Sequence, residues 1–332
     1  MNKDQCLRAV NQLMEDRRTQ GKIESNRRRE EISLSVPAIA QKERELQENH
    51  AAFFRFIADH DGDEDKFMEF RDKSLRLQDE IKDLLVKNGY AADYLDPVHH
   101  CSLCADEGVI DGQLCACYKQ ALSEQYLSQS GMQKLFAKCS FAAFDLSLYS
   151  DEEDGSGMSP RAKMKKILDF SKKYVKSFGE ESPNLLFVGE PGCGKTFLSV
   201  CIGCELIRSG KFVLYAPVQD LLTDFEAATF RNKEATMPTE EYLDADLLII
   251  DDLGTEFYSS FVETTLYSVI NTRLTRKKPT VISTNLSEEE RGECYASRLN
   301  SRLSYSFTNV GFPAADLRAE TLKRKAIRRK KQ

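Results

Sequence analysis

The residues best placed to do chemistry stand in Gly189-Glu-Pro-Gly-Cys-Gly-Lys-Thr196, where Gly189, Gly194, Lys195 and Thr196 fill every fixed position of the pattern G-x-x-x-x-G-K-[ST]. Backbone at Gly192 and Gly194 can turn its N–H groups inward with no Cβ in the way. The helix that follows adds unpaired N–H groups and a positive dipole end. That is chemistry for phosphate oxygens: Lys195 reaches the β- and γ-phosphates of a nucleoside triphosphate, and the Thr196 hydroxyl takes a place on Mg2+. Glu190, Pro191, Cys193 and Phe197 complete the set expected around such a nucleotide, and the Cys193 thiol is expected to make the loop sensitive to thiol reagents. A second set ends Leu247-Leu-Ile-Ile-Asp-Asp-Leu-Gly254, an apolar run that delivers two carboxylates to the strand end, where open α/β sheets place ligands. Asp251 is expected to hold Mg2+ through water, and Asp252 to orient or deprotonate the attacking water. A strand often ends in Asp for turn reasons alone. Following a phosphate loop, the functional reading is the stronger.

These groups need elements to position them. Leu185 to Val188 reads as a buried strand, and Phe197, Leu198, Val200, Cys201, Cys204, Leu206 and Ile207 recur at helical spacing behind the loop. Cys201 and Cys204 spell C-x-x-C inside that helix, with no second pair nearby, and read as small buried apolar side chains. The alternation then continues: strand 212–216, helix 218–230, strand 247–251, helix 258–273, strand 280–285 and strand 306–312. Strands alternating with helices imply a parallel sheet with right-handed crossovers. Asn285 ends its strand beside the carboxylates, either to hold the attacking water or to start a turn. Arg298 and Arg302, four apart, share a helix face, which is either simply solvated or presented to a neighbouring subunit's γ-phosphate.

Upstream, His99-His-Cys-Ser-Leu-Cys104 and Cys115-Ala-Cys117 bring four thiols into one short stretch. Cys101, Cys104, Cys115 and Cys117 suit a tetrahedral Zn2+ site, with His99 or His100 able to replace one of them because the C-x-C spacing is tight. A redox dithiol would want a thioredoxin-like setting that is missing here. Residues 1 to about 90 are rich in Glu, Lys, Arg and Gln over a narrow apolar stripe, with a helix break at Val36-Pro37 and a further helix near 63–88. They read as a helical arm that either docks on a partner or packs on its neighbour. At 332 residues and 41% hydrophobic content the chain supports about two domains, divided here at 1–135 and 136–332. The net charge of −6 excludes a uniformly basic nucleic-acid coat. No run is long enough to cross a bilayer and no signal-peptide core stands at the N-terminus, so a cytoplasmic chain with reduced thiols is expected. The segment Lys323–Lys331 carries seven positive charges in nine residues, a phosphate-seeking or merely solvated tail.

With these residues placed, the chain resembles the AAA+ ATPases of bacterial replicative helicase loaders, the DnaC/DnaI type, and the related IstB-type transposition ATPases. The resemblance rests on Gly189–Thr196, Leu248-Ile-Ile-Asp-Asp-Leu-Gly254, Ser283-Thr-Asn285 and Ser301-Arg-Leu303, preceded by a helical region with a cysteine cluster. It implies a P-loop α/β fold with a five-stranded parallel sheet behind a mainly helical, zinc-containing N-terminal domain, and a C-terminal lid that is vestigial or absent. It further implies ATP hydrolysis with Mg2+, a hexameric replicative DNA helicase and single-stranded DNA as partners, and assembly of several copies. By this likeness Asn285 is the first sensor, Arg302 the arginine finger and Arg318 a second sensor. Phe230 with Arg231 would contact single-stranded DNA through an aromatic face beside a charge. The alternative is a transposition helper ATPase that binds target DNA.

Overall fold

Proline cannot donate into the turn before it, so Val36-Pro37 divides what would otherwise be one long helix. The computed structural model describes residues 3–59, 64–129, 138–153, 157–230, 239–317 and 319–320. It begins with α1 (Lys3–Ser35), α2 (Pro37–Asp59) and α3 (Glu64–Lys87). The chain packs as two units, Gln12–Asp111 and Met1–Asn11 together with Gly112–Gln332.

Within Gln12–Asp111 the core is small, as the narrow stripe implies: Ile32, Val36, Ile39, Ile81 and Leu85 are buried together, flanked by Tyr90, Tyr94 and Leu95. Asn49, 4% exposed, fixes α2 on α3 by donating to the Phe70 carbonyl and the Ser74 hydroxyl, both at 2.9 Å. Gly21 stands in the middle of α1 although glycine there costs about 1 kcal/mol relative to alanine. The reason is a close approach: a Cβ at Gly21 would lie 2.2 Å from the Val98 carbonyl oxygen.

A short hairpin, β1 (Val109–Ile110) and β2 (Gln113–Leu114), turns at Asp111 and Gly112, whose φ of 49° and 77° are both positive. A two-residue turn of that kind matches the twist of the flanking strands.

The remaining elements alternate. After α4 (Ala116–Gln129) come α5 (Pro160–Lys176), β3 (Asn184–Val188), α6 (Lys195–Arg208), β4 (Val213–Pro217), α7 (Val218–Phe230), α8 (Thr239–Asp244), β5 (Leu247–Leu253), α9 (Ser260–Thr275), β6 (Thr280–Thr284), α10 (Glu288–Cys294), α11 (Ser297–Ser306) and β7 (Phe307–Gly311). The strands form one parallel sheet in the order β4-β5-β6-β3-β7. The expected fold is therefore present, with β3 at the point where the strand order reverses, the position at which such sheets bind ligands. One boundary differs in a way that matters. β5 runs to Leu253, beyond the expected Asp251, because the register against β6 shifts between Ile250 and Leu253. The edge strand β4 is covered by α4, whose Ser123 hydroxyl, itself buried, accepts the Val213 N–H at 3.0 Å.

Arg273 holds the far edge of this core. It is 1% exposed, and its guanidinium donates to Thr280 Oγ1 (2.9 Å) and to the carbonyls of Tyr242 (2.8 Å), Ala245 (3.0 Å), Leu243 (3.2 Å) and Pro279 (2.6 Å). Removing the fork strands several buried acceptors, each worth about 1–3 kcal/mol when unpaired. Arg273→Leu is expected to lower the unfolding free energy by about 3 kcal/mol or more, visible as a fall in the urea midpoint at unchanged slope.

Candidate active site

β3 delivers the glycine-rich loop, and the loop turns because two residues accept backbone angles that side chains resist: φ is 83° at Gly192 and 103° at Gly194. At Gly194 space is also closed, since a Cβ would lie 2.7 Å from the Tyr149 hydroxyl. That hydroxyl donates to the Cys193 carbonyl at 2.8 Å and so braces the loop from outside. Phe144 stacks on Tyr149 with centroids 6.1 Å apart and meets Phe197 edge-on at 5.7 Å. Phe197 thus packs behind the loop, while Glu190 and Pro191 are exposed at its tip. Cys193 corrects one expectation. It is fully buried and burial pushes its thiol up, which leaves little thiolate for reagents to find.

Lys195 is 5% exposed at the start of α6. Its ammonium donates to the Gly189 carbonyl (2.7 Å), the Glu190 carbonyl (3.0 Å) and Asn285 Oδ1 (2.6 Å). Asn285, just past β6 and exposed, therefore meets Lys195 from the neighbouring strand. Both readings of that residue depended on its position, and the side chain faces the loop.

Asp251 is 4% exposed and receives three hydroxyls. Thr196 Oγ1 donates to Oδ1 at 3.1 Å, the Tyr215 phenol donates to Oδ2 at 2.6 Å, and Ser283 Oγ donates to Oδ1. Thr196 and Asp251, the pair expected at Mg2+, are thus adjacent, and their donor set is the hydroxyl and carboxylate oxygen chemistry that a hard cation takes. Tyr215 and Ser283 were not expected here. A signal existed: a tyrosine in a fully buried strand must pair its hydroxyl, and Pro217 lies opposite Asp251 in the ladder, which puts Tyr215 and Asp251 on one sheet face. Burial and the carboxylate beside it push the Tyr215 phenol well up, so it stays a donor at neutral pH.

Asp252 follows with φ of 58°. A left-handed aspartate is uncommon and costs of order 1–2 kcal/mol. It turns the carboxylate outward, exposed, while its N–H donates to Ser283 Oγ at 3.0 Å. The strain and the register shift of β5 together separate the roles of two adjacent acids, one clamped inside and one presented to solvent.

Among the described residues, the expected arginine pair makes no hydrogen bond or ion pair with this cluster. Arg298 and Arg302 are exposed on α11, whose opposite face is anchored by buried Leu299 and Leu303. Arg302 makes no hydrogen bond or ion pair among the described residues. Arg318, Arg231 and the basic tail from Lys323 lie outside the described residues, as does the Phe230 side chain. Phe225 is half-buried, its ring 5.7 Å from that of Tyr242. Cys201 and Cys204 are buried in α6, and burial pushes the Cys204 thiol up to about 12, in line with an apolar role.

The cysteine hairpin is a local site of its own. The ligand atoms of Cys101, Cys104, Cys115 and Cys117 all lie within 4.8 Å of one another, and the histidines His99 and His100 are not part of that group. Asp106, fully buried, accepts the backbone N–H groups of His100 (2.8 Å) and Cys101 (2.9 Å), and Gly108 N–H points at Cys104 Sγ at 3.4 Å. Four thiolates at this spacing are the donor set of structural zinc.

Residues 157–299 match the family described as IstB-like ATP binding protein. The chain is 30% identical over 185 residues to the replicative helicase loader DnaC of Buchnera aphidicola subsp. Acyrthosiphon pisum, covering 54% of this chain and 69% of that protein. It is 29% identical over 185 residues to DnaC of Escherichia coli strain K12, with the same coverage of each. Among solved structures, the DnaC helicase loader aligns with a TM-score of 0.44 at 21% identity, over 52% of this chain and 98% of that one. DnaI aligns with a TM-score of 0.44 at 17% identity, over 56% and 93%.

Proposed function

We propose, from the premise that this chain belongs to the DnaC-type family of replicative helicase loaders, that it is an ATP-dependent loader that grips a hexameric DNA helicase and binds single-stranded DNA. The observation that carries this is the convergence of Lys195, Asn285, Thr196 and Asp251 at one end of the sheet. That cluster supports Mg2+-dependent ATP hydrolysis: Lys195 and the loop amides hold the phosphates, Thr196 and Asp251 hold the Mg2+, Asn285 and Asp252 orient the attacking water. Residues 1–135, helical and zinc-bearing, serve as the helicase-docking part. Residues 136–332 serve as the ATPase, with Phe230 and Arg231 toward DNA, Arg318 toward nucleotide and Arg302 toward a neighbouring copy. Turnover is slow in the isolated chain because Arg302 completes a site other than its own. The protein works in the cytoplasm, where its cysteines stay reduced; no described helix is long and apolar enough to cross a membrane.

The test is capture of the full chain by a purified hexameric replicative helicase, with and without ATP. Nucleotide-dependent capture supports loading. The match to the IstB-like model favours a second reading, a transposition helper on target DNA; absent helicase capture together with filaments on duplex DNA would select it.

Two further results are expected. Tyr215→Phe keeps the packing and removes one donor from Asp251, leaving a buried carboxylate oxygen short of a partner at about 1–3 kcal/mol. Turnover should fall about tenfold, the Mg2+ concentration for half-maximal rate should rise, and the unfolding midpoint should fall by the equivalent of about 1–3 kcal/mol. Metal analysis of the purified chain should give about one Zn2+ per molecule, lost in the Cys101→Ser, Cys104→Ser double variant.

A further inference from the structure

A groove of about 440 Å³ runs between one face of α1 and the segment from Pro97 to Glu107, wholly within the unit Gln12–Asp111. Arg18, Lys22, Asn26 and Arg29 line its helical side, at positions four, four and three residues apart, which is one helix face. Pro97, Val98 and Ala105 give its opposite side an apolar surface, with Glu107 at the rim.

The two sides are held in register before any ligand arrives. Gly21 lets α1 lie against the Val98 carbonyl, where a Cβ would come within 2.2 Å, and the Val98 N–H donates to Ser25 Oγ at 3.1 Å. Beyond the groove, Asp106 ties its turn by accepting two backbone N–H groups. A preformed groove spares a ligand the ordering cost that weakens binding to mobile surfaces.

Its charge is only partly spent internally. Arg18 reaches Glu107 at 3.1 Å and Arg29 reaches Glu43 at 3.7 Å, each pair with one exposed and one half-buried member, so water still reaches and weakens both. Lys22, exposed, makes no ion pair among the described residues. His99 is the one aromatic ring in the lining, short of the row of rings on which successive bases stack, and Glu107 opposes a continuous row of phosphates. An apolar wall facing a cationic wall instead fits a peptide with apolar side chains on one edge and carboxylates on the other.

We propose that this groove is a docking site for an acidic, amphipathic peptide segment of a protein partner, engaged chiefly through Lys22 and Arg29. The groove belongs to the unit Gln12–Asp111 and the nucleotide cluster to the other unit. It rests on the loader reading only in the choice of a helicase as one test partner.

The experiment uses the full-length chain and two fluorescent probes, a Glu/Leu-alternating peptide and an oligo-dT strand. Anisotropy should show saturable peptide binding that weakens with salt, as exposed charges require. Lys22→Glu with Arg29→Glu should weaken it at least tenfold, Lys22→Arg should retain it, and Lys165→Glu on α5 should leave it unchanged. Helix content by circular dichroism and the unfolding midpoint of the double variant, equal to the parent, show that the fold survived. Peptide binding untouched by the double charge reversal overturns the proposal, and so does a groove-dependent preference for oligo-dT. If a helicase is captured, the double variant should release it and free peptide should compete. If no helicase is captured while the peptide still binds through Lys22 and Arg29, the loader reading fails and the groove stands.

Discussion

Arg302→Ala should lower ATP turnover in the assembly with helicase and DNA by about a thousandfold, the scale of a lost arginine finger, or roughly 4 kcal/mol of transition-state stabilisation. Structure makes the substitution clean. Arg302 is exposed and makes no hydrogen bond or ion pair among the described residues, while Leu299 and Leu303 bury the other face of α11. Stability and nucleotide affinity should therefore hold within error, confining the loss to the chemical step. Steady-state phosphate release, measured beside equilibrium nucleotide binding, separates these quantities. A mixing test adds direction: chains carrying Arg302→Ala combined with chains carrying Asp252→Asn should recover part of the rate, since each supplies what the other lacks. Unchanged turnover in Arg302→Ala would remove the residue from this role.

Lys195→Ala should abolish turnover and weaken ATP binding at least a hundredfold, about 2.7 kcal/mol. The ammonium is nearly buried and donates to two loop carbonyls and to Asn285. Its loss removes the local positive charge and leaves the Asn285 oxygen without its donor. Titration with a fluorescent ATP analogue measures the first effect and phosphate release the second. If the variant binds and turns over like the parent, the phosphate-loop assignment is wrong, and the catalytic reading of Asp251 and Asn285 goes with it.

How far the sequence carried this site can be judged residue by residue. Gly189, Gly194, Lys195 and Thr196 were legible because a phosphate loop needs those residue types at fixed spacing, with a strand before and a helix after. Asp251 was legible because the apolar run of β5 had to end somewhere polar. Tyr215, Ser283 and Tyr149 were not, because each acts across elements far apart in the chain: β4 on β5, β6 on β5, and the segment after α4 on the loop. No local pattern encodes such pairings; only strand register does. The split between Asp251 and Asp252 was expected as chemistry, but its cause, a left-handed residue at a register shift, is tertiary. The four cysteines were legible as a group. The fully buried Asp106 that shapes their turn was hidden among many surface acids.

The lid of α4 over β4 has a practical consequence. A fragment cut at residue 136 to isolate the ATPase would discard Ser123 and bare the outermost ladder of the sheet, including the Val213 amide it now satisfies. Such a piece would offer itself as a template for strand-to-strand polymerisation, so a soluble ATPase fragment has to begin ahead of Ala116.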